Sequence, residues 1–258
     1  MPAPYDFYDY PLYWKNRQYE DLAERVALRK IFSIVGKKRI LGDIGGGFGR
    51  LVPLYLPFAE KIYLCDSSEK LLSLAKEKLA DFKKIFFKKD FLPKLSFSDS
   101  FFDVVVMVRV IHHFRDSKKI IKELDRVLKP GGFLILEFAN KNHFLAIIRA
   151  ILKKDFLFWQ NLSPLDLRSE ESITKRKIGF FNHHPQKILK DLNEIGFEVI
   201  KIYSVSNFRS PIIKKIVPLK ILLILEKIGQ KLFSRFYFGP SIFILAKKPI
   251  ILDKKKIL

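Results

Sequence analysis

The chain has 258 residues, 48% of them hydrophobic, which is enough for one sizeable core. No run reaches the roughly 18 uninterrupted apolar residues of a membrane span. The acidic, aromatic start "MPAPYDFYDYPLYW" does not read as a secretory signal, and a lone cysteine, Cys65, excludes an intramolecular disulfide or a cysteine-rich zinc site. A cytoplasmic protein without a metal is the expectation. Lys+Arg 48 against Asp+Glu 27 leaves +21, a charge that attracts nucleic acid or anionic lipid, although the lysines are scattered as in a solvated coat.

After the aromatic arm, residues 17–35 read as an amphipathic helix with Leu22, Val26, Ile31 and Val35 near helical spacing. An alternation of strands and helices follows. "RILGDI" (39–44) is a strand, "RLVPLYL" (50–56) a short helix with Pro53 in its first turn, and "KIYLC" (61–65) a second strand. "SSEKLLSLAKEKLADF" (67–82) is a serine-capped helix, and "KIFFKK" (84–89) a third strand. "FFDVVVMV" (101–108) is apolar on both faces, as a central parallel strand should be. "SKKIIKELDRVL" (117–128) is a helix stopped by "KPGG", and "FLILEF" (133–138) a fifth strand.

Beyond residue 140 the rhythm loosens. A helix over 142–153 precedes the charge-rich "LSPLDLRSEESITKRK", and a second helix (185–195) opens at Pro185 and closes at Gly196. The strand "FEVIKIYSV" (197–205), an apolar and basic segment (211–235) and a last strand "SIFILAKK" (241–248) complete the chain. Strands alternating with helices predict an α/β, doubly wound, mostly parallel sheet with helices on both faces and a ligand at the C-terminal strand ends. One domain is expected: an arm and helix over 1–36 that can serve as a lid, a ligand-binding core over 37–139, and insertions at 140–196 and 206–239 that shape the substrate pocket.

The turn "DIGGGFG" (43–49) sets glycine N–H groups beside a helix start. It is not the dinucleotide spacing G-x-G-x-x-G, because the third glycine would fall on Arg50 or Val52. "LGDIGGGFGRL" instead resembles the first motif of the class I S-adenosylmethionine-dependent methyltransferases. "IYLCDSSEKLL", "KKDFLPKLSFSDSFFDVVVMVRVIHHF" and "LDRVLKPGGFLILEF" resemble its later motifs, in order, over residues 37–138. The branch most similar includes the quinone-biosynthesis C-methyltransferases and small-molecule methyltransferases.

The resemblance implies a seven-stranded Rossmann-like sheet whose last strand is antiparallel. It also implies S-adenosylmethionine as cofactor, S-adenosylhomocysteine as product and no metal. Gly45, Gly46, Gly47 and Gly49 would pass under the methionine half, with Asp43 toward its ammonium group. Asp66 would accept the ribose hydroxyls, and Asp90 would hold the adenine amino group with Phe91 against the base. The Val108 carbonyl would meet the ammonium. Ser67 or Ser68 caps the next helix, and Ser67 is counted with the cofactor set. Asp103, which starts a strand, is structural.

Methyl transfer is an in-line displacement, so geometry and a dry pocket carry most of the catalysis. Arg109, His112 and His113 are the candidates for proton transfer or substrate contact, and Tyr13, Trp14, His183 and His184 for binding the acceptor. The place of an N/D-P-P-Y/F motif reads "VRVIHHF", and Cys65 is misplaced for a pyrimidine nucleophile. A small organic or lipid-like acceptor is therefore expected ahead of RNA, which the charge keeps as an alternative, as is a non-catalytic protein of this fold. In 211–233, Lys220, Lys227 and Lys231 share one helical face. That segment suits an anionic membrane surface on the inner side, a dimer contact or a cover over the pocket.

Overall fold

The computed structural model describes residue 6 and residues 9–170 and 179–250. Tyr5, Tyr8 and the 171–178 part of the charge-rich stretch lie outside the described residues. The arm carries helix α1 (Tyr10–Lys15), which leads into α2 (Gln18–Val35). The core then runs β1 (Lys38–Ile44), α3 (Val52–Tyr55), β2 (Ala59–Asp66), α4 (Glu69–Lys78), β3 (Ile85–Lys89), β4 (Phe102–Met107), α5 (Ser117–Val127) and β5 (Leu128–Ala139). Helix α6 (Phe144–Leu152) and a two-residue ribbon, β6 (Leu165–Asp166) with β7 (Phe181–Asn182), occupy the first insertion. Helix α7 (Pro185–Ile195), β8 (Glu198–Val205), α8 (Pro211–Ile216), α9 (Leu219–Leu232) and β9 (Ser241–Lys247) finish the chain.

The seven-stranded sheet has the order β3-β2-β1-β4-β5-β9-β8. Strands β1 to β5 pair in parallel, and β9 pairs antiparallel with both β5 and β8. The expected topology is thus present, with the last strand reversed.

Side-chain alternation along β4 explains why the sheet is covered on both faces. Val104, Val106 and Val108 enter one apolar cluster with α2, α3 and α4, while Val105 and Met107 enter another with α5 and α7, which Phe102 joins across a register irregularity before Val104. Asp116 caps α5 through the Lys119 N–H at 3.1 Å, and Ile120, Ile121, Leu124 and Val127 form its buried stripe. Helix α7 begins at Pro185 and ends on Gly196 with φ 107°, the left-handed residue that closes a helix.

Three boundaries differ from the sequence reading. Strand β5 starts at Leu128 rather than 133, because "KPGG" both stops α5 and joins the ladder, Gly131 N–H donating to the Lys248 carbonyl at 2.8 Å. Helix α4 ends at Lys78, four residues early. The single apolar segment at 211–235 is two helices. Pro218 offers no N–H and pushes Val217 to φ −101°, ψ 124°, which breaks the run between α8 and α9. Asp103 is structural as expected: it accepts the Ile40 N–H at 2.8 Å and pairs with Lys129.

Strand direction places the site. The turns after β1, β2, β3 and β4, the insertion after β5 and the α8–α9 connection from β8 to β9 all lie at one end of the sheet.

Candidate cofactor and acceptor site

The glycine turn is anchored to the neighbouring strand. Gly45 and Gly46 N–H groups both donate to the Cys65 carbonyl, at 2.8 and 3.0 Å. Gly45 has φ 78°, and a Cβ there would run into the Val110 side chain. A Cβ on Gly46 would stand 2.6 Å from Asp43 Oδ2. The turn therefore packs directly on the acid beneath it and leaves backbone facing the crevice. That shape suits a ligand approached by main chain.

Asp66, at the tip of β2, is buried. Its Oδ2 accepts the Gly47 N–H at 2.9 Å and its Oδ1 the Ser68 N–H at 2.8 Å. The carboxylate thus clamps the turn to the start of α4 and keeps acceptor capacity at the strand tip. Burial raises its carboxyl above the ordinary range, opposed by these backbone donors. Ser68, not Ser67, caps α4 by accepting the Leu71 N–H, and its hydroxyl donates to Asp6 of the arm at 2.6 Å. Ser67 stands half-buried between them.

Asp90 is also buried, just past β3, and its carboxylate accepts the N–H and hydroxyl of Ser96 and the N–H of Phe91. The Phe91 ring is 49% exposed, which leaves a face for a base. Val108 ends the β4 run and is buried. Asp43 lies under the turn with the Tyr55 hydroxyl donating to Oδ2. Burial pushes its carboxyl up to about 7, with Asp66 adding to the rise and the Tyr55 bond opposing it.

That displacement has a measurable sign. Below the ordinary value of 3.8 both folded and unfolded chains carry Asp43 protonated, and up to about 7 only the folded chain keeps the proton. Stability contributed by this group is full at low pH and falls as pH rises through the 3.8–7 window. In urea titrations, Asp43→Asn should flatten the slope of stability against pH between those values; parallel curves for the two proteins would show that Asp43 ionises freely.

The arm covers the turn. The Tyr10 ring lies 3.8 Å from where a Cβ on Gly47 would stand, and it packs edge-on against Phe48 at 6.0 Å between centroids. Burial pushes the Tyr10 hydroxyl up to about 12. Two guanidinium groups pack on Trp14, Arg50 at 3.5 Å and Arg109 at 4.7 Å from its ring centre. Tyr13 stacks on Tyr10 and meets Arg109 through its hydroxyl at 3.4 Å.

Arg109 has φ 60° and turns its side chain to Glu24 (Nε to Oε1, 2.6 Å), while its N–H donates to Glu137 Oε2 at 2.7 Å. Glu24, fully buried, also pairs with Arg50. Glu24 and Glu137 hold the Arg109 guanidinium protonated against the burial that opposes its charge.

The two histidine runs meet. The His112 and His113 rings are 4.2 Å apart, Phe180 lies 4.7 Å from His112, and His183 Nε2 is 3.3 Å from the Ile111 carbonyl. Burial lowers all three imidazoles below their usual value, so they are neutral at pH 7. His113 Nδ1 lies 2.9 Å from the Gly179 carbonyl, so Nδ1 carries the proton and Nε2 is the basic nitrogen. His184 is placed differently. Its Nδ1 accepts the Gln186 N–H at 3.1 Å as the cap of α7, and its Nε2 meets the Trp159 carbonyl at 2.8 Å. No cluster of metal-ligating side chains occurs among the described residues.

Sequence reasoning passed over Glu24, Arg50, Tyr55 and Glu137. The first had a signal: Glu20 and Glu24 stand at i, i+4 spacing beside Ala23, Ala27 and Ile31, on the side of α2 that is buried. The others depend on contacts between distant segments.

The strand order β3-β2-β1-β4-β5-β9-β8, with the last strand reversed, is that of the Rossmann-like methyltransferase fold. Residues 42–136 match the family model described as "Methyltransferase domain". The ubiquinone/menaquinone biosynthesis C-methyltransferase UbiE of Coxiella burnetii is 28% identical over 179 residues, spanning 66% of this chain and 70% of that protein. An S-adenosylmethionine-dependent methyltransferase from Mesorhizobium loti superposes with a TM-score of 0.59 at 18% identity, covering 87% of this chain and 97% of its own. The [4+2]-cyclase SpnF has the same fold, with a TM-score of 0.58 at 18% identity over 90% of this chain and 82% of its own. At such identity these structures speak for the fold alone. Residues 42–136 are thus matched as a methyltransferase domain, and the relatives agree with an enzyme that takes S-adenosylmethionine as its cofactor.

Proposed function

We propose that the enzyme methylates a small, apolar, lipid-like organic acceptor. The observation that carries this reading is the composition of the cluster just beyond β4: His112, His113 and Phe180 present neutral imidazoles and a phenyl ring to one another, with no ion pair among them. Such a cluster at the strand ends suits an uncharged aromatic or unsaturated acceptor and gives little hold to a phosphate. The names of the UbiE relatives, C-methyltransferases of quinone biosynthesis, support the same class.

S-adenosylmethionine supplies the electrophilic methyl group. Asp66 and the Gly45–Gly47 backbone hold the nucleoside and methionine portions, and Asp90 with Phe91 receives the base. The arm excludes water through Tyr10, Tyr13 and Trp14. Arg109, turned to Glu24, is a positioning residue for that arm. His113 Nε2 is the group suited to accept the proton that a hydroxyl or ring carbon must lose.

Methyl-labelled cofactor offered with short- and long-tailed quinols, and separately with total RNA, tests the reading. Label is expected in the organic phase, increasing with tail length. Label confined to RNA, lost as salt is raised, would overturn it.

A further inference from the structure

Helix α9 is built inside out. Its buried positions are Leu222, Glu226, Gly229 and Gln230. The Glu226 carboxylate accepts the Tyr19 hydroxyl at 2.7 Å, the Ser206 N–H at 2.8 Å and the Asn207 N–H at 3.0 Å. Gln230 donates to the Ala23 carbonyl at 2.8 Å. These bonds fix the rotation of the helix, since rolling it would strand a buried carboxylate and several donors.

What faces outward is therefore apolar by construction. Ile221, Ile224, Leu225, Ile228 and Leu232 form one stripe at helical spacing, between 42% and 64% exposed. Ile212 and Ile216 of α8 add to it at 70% and 74%. An exposed run of this size marks an interaction surface.

Charge selects the occupant. Between residues 209 and 240 the one acid is Glu226, which is buried, whereas Lys215, Lys220, Lys227, Lys231 and Arg235 are exposed. A second copy docked about a two-fold axis would set these cations against themselves. Nucleic acid would leave the isoleucines without a partner. An apolar stripe bordered by lysines fits the headgroup boundary of an anionic bilayer.

We propose that α8 and α9 dock the enzyme on an anionic lipid surface. No described helix is long and apolar enough to cross a membrane, and docking is through this interface. The proposal goes beyond the acceptor reading and stands without it, because its readout is binding rather than turnover.

The test is co-sedimentation of the full chain with phosphatidylcholine vesicles and with vesicles containing about one-third phosphatidylglycerol. Partitioning onto the anionic vesicles is expected to be roughly a hundredfold or more the stronger. Replacing Lys220, Lys227 and Lys231 together by Gln should weaken it by about a hundredfold, roughly fivefold for each charge lost. Ile224→Ser with Ile228→Ser should abolish it while cofactor binding persists, which shows the fold is intact. Several results would overturn the proposal. These are no sedimentation with anionic vesicles, a serine double variant that sediments like the unaltered chain, a dimer that this variant splits, or RNA that displaces the protein from vesicles.

Discussion

Glu24→Ala is expected to lower the unfolding free energy by about 3–5 kcal/mol, the cost of breaking a buried charge set by removing one partner. The carboxylate is fully buried between Arg50 and Arg109, and no solvent reaches it to share the load. Its removal leaves two guanidinium groups beside the Trp14 ring, each within 4.7 Å of its centre, without the carboxylate they share. Asp21 still pairs with Arg50, and Glu137 still accepts the Arg109 N–H, so those groups keep partial satisfaction. The residual penalty therefore falls mainly on the Arg109 side chain, whose other side-chain hydrogen bond is the 3.4 Å contact to Tyr13.

Because Tyr13 and Trp14 belong to the arm, the same change should loosen the cover over the glycine turn and raise the dissociation constant for cofactor. Urea denaturation measures the first effect and calorimetric titration the second. A double variant, Glu24→Ala with Arg109→Leu, should recover part of the stability, since it removes a stranded charge as well. A loss below about 1 kcal/mol for the single variant would mean that the network is wet and that the two arginines do not depend on Glu24.

How far the sequence reveals this molecule depends on the range of the forces involved. The sheet was legible because strand and helix periods are local: the all-apolar stretch around Val104–Met107 could only be a central strand, and Pro185 and Gly196 bracket α7 as their backbone preferences dictate. The cradle was legible because glycine spacing and the acids at strand ends are sequential signals. The charge set around Glu24 was not, for it joins residues 21, 24, 50, 109 and 137, and no periodicity pairs an acid on one helix with an arginine past the fourth strand. The inverted rotation of α9 was hidden for a related reason. Its pattern reads as apolar with a lysine face, and only the contacts of Glu226 with Tyr19 and the 206–207 turn show which side is inward. His184 illustrates the converse: it reads as a candidate for binding the acceptor, and in the fold its Nδ1 accepts the Gln186 N–H as the cap of α7.

Asp66→Ala is expected to weaken S-adenosylmethionine binding by about 2–3 kcal/mol, on the order of a hundredfold, as two charge-assisted hydrogen bonds to a diol are lost. The structure adds a second route to the same loss. Asp66 ties Gly47 to Ser68, so without it the turn after β1 and the start of α4 lose their common acceptor. The two contributions separate by choice of variant and ligand. Asp66→Asn keeps one oxygen for one of the two backbone N–H groups, sets its NH2 against the other and removes the charge, so it should cost about half as much in binding and lower unliganded stability by less than the alanine variant does. Asp66→Ala should lower unliganded stability as well, by about 1–2 kcal/mol for the orphaned donors. Titrating adenosine alone isolates the sugar contact, because it carries the diol without the methionine portion proposed to meet the glycine turn. If Asp66→Ala binds adenosine and S-adenosylmethionine as tightly as the unaltered chain does, the carboxylate only braces the turn, and the ribose lies elsewhere along the strand ends.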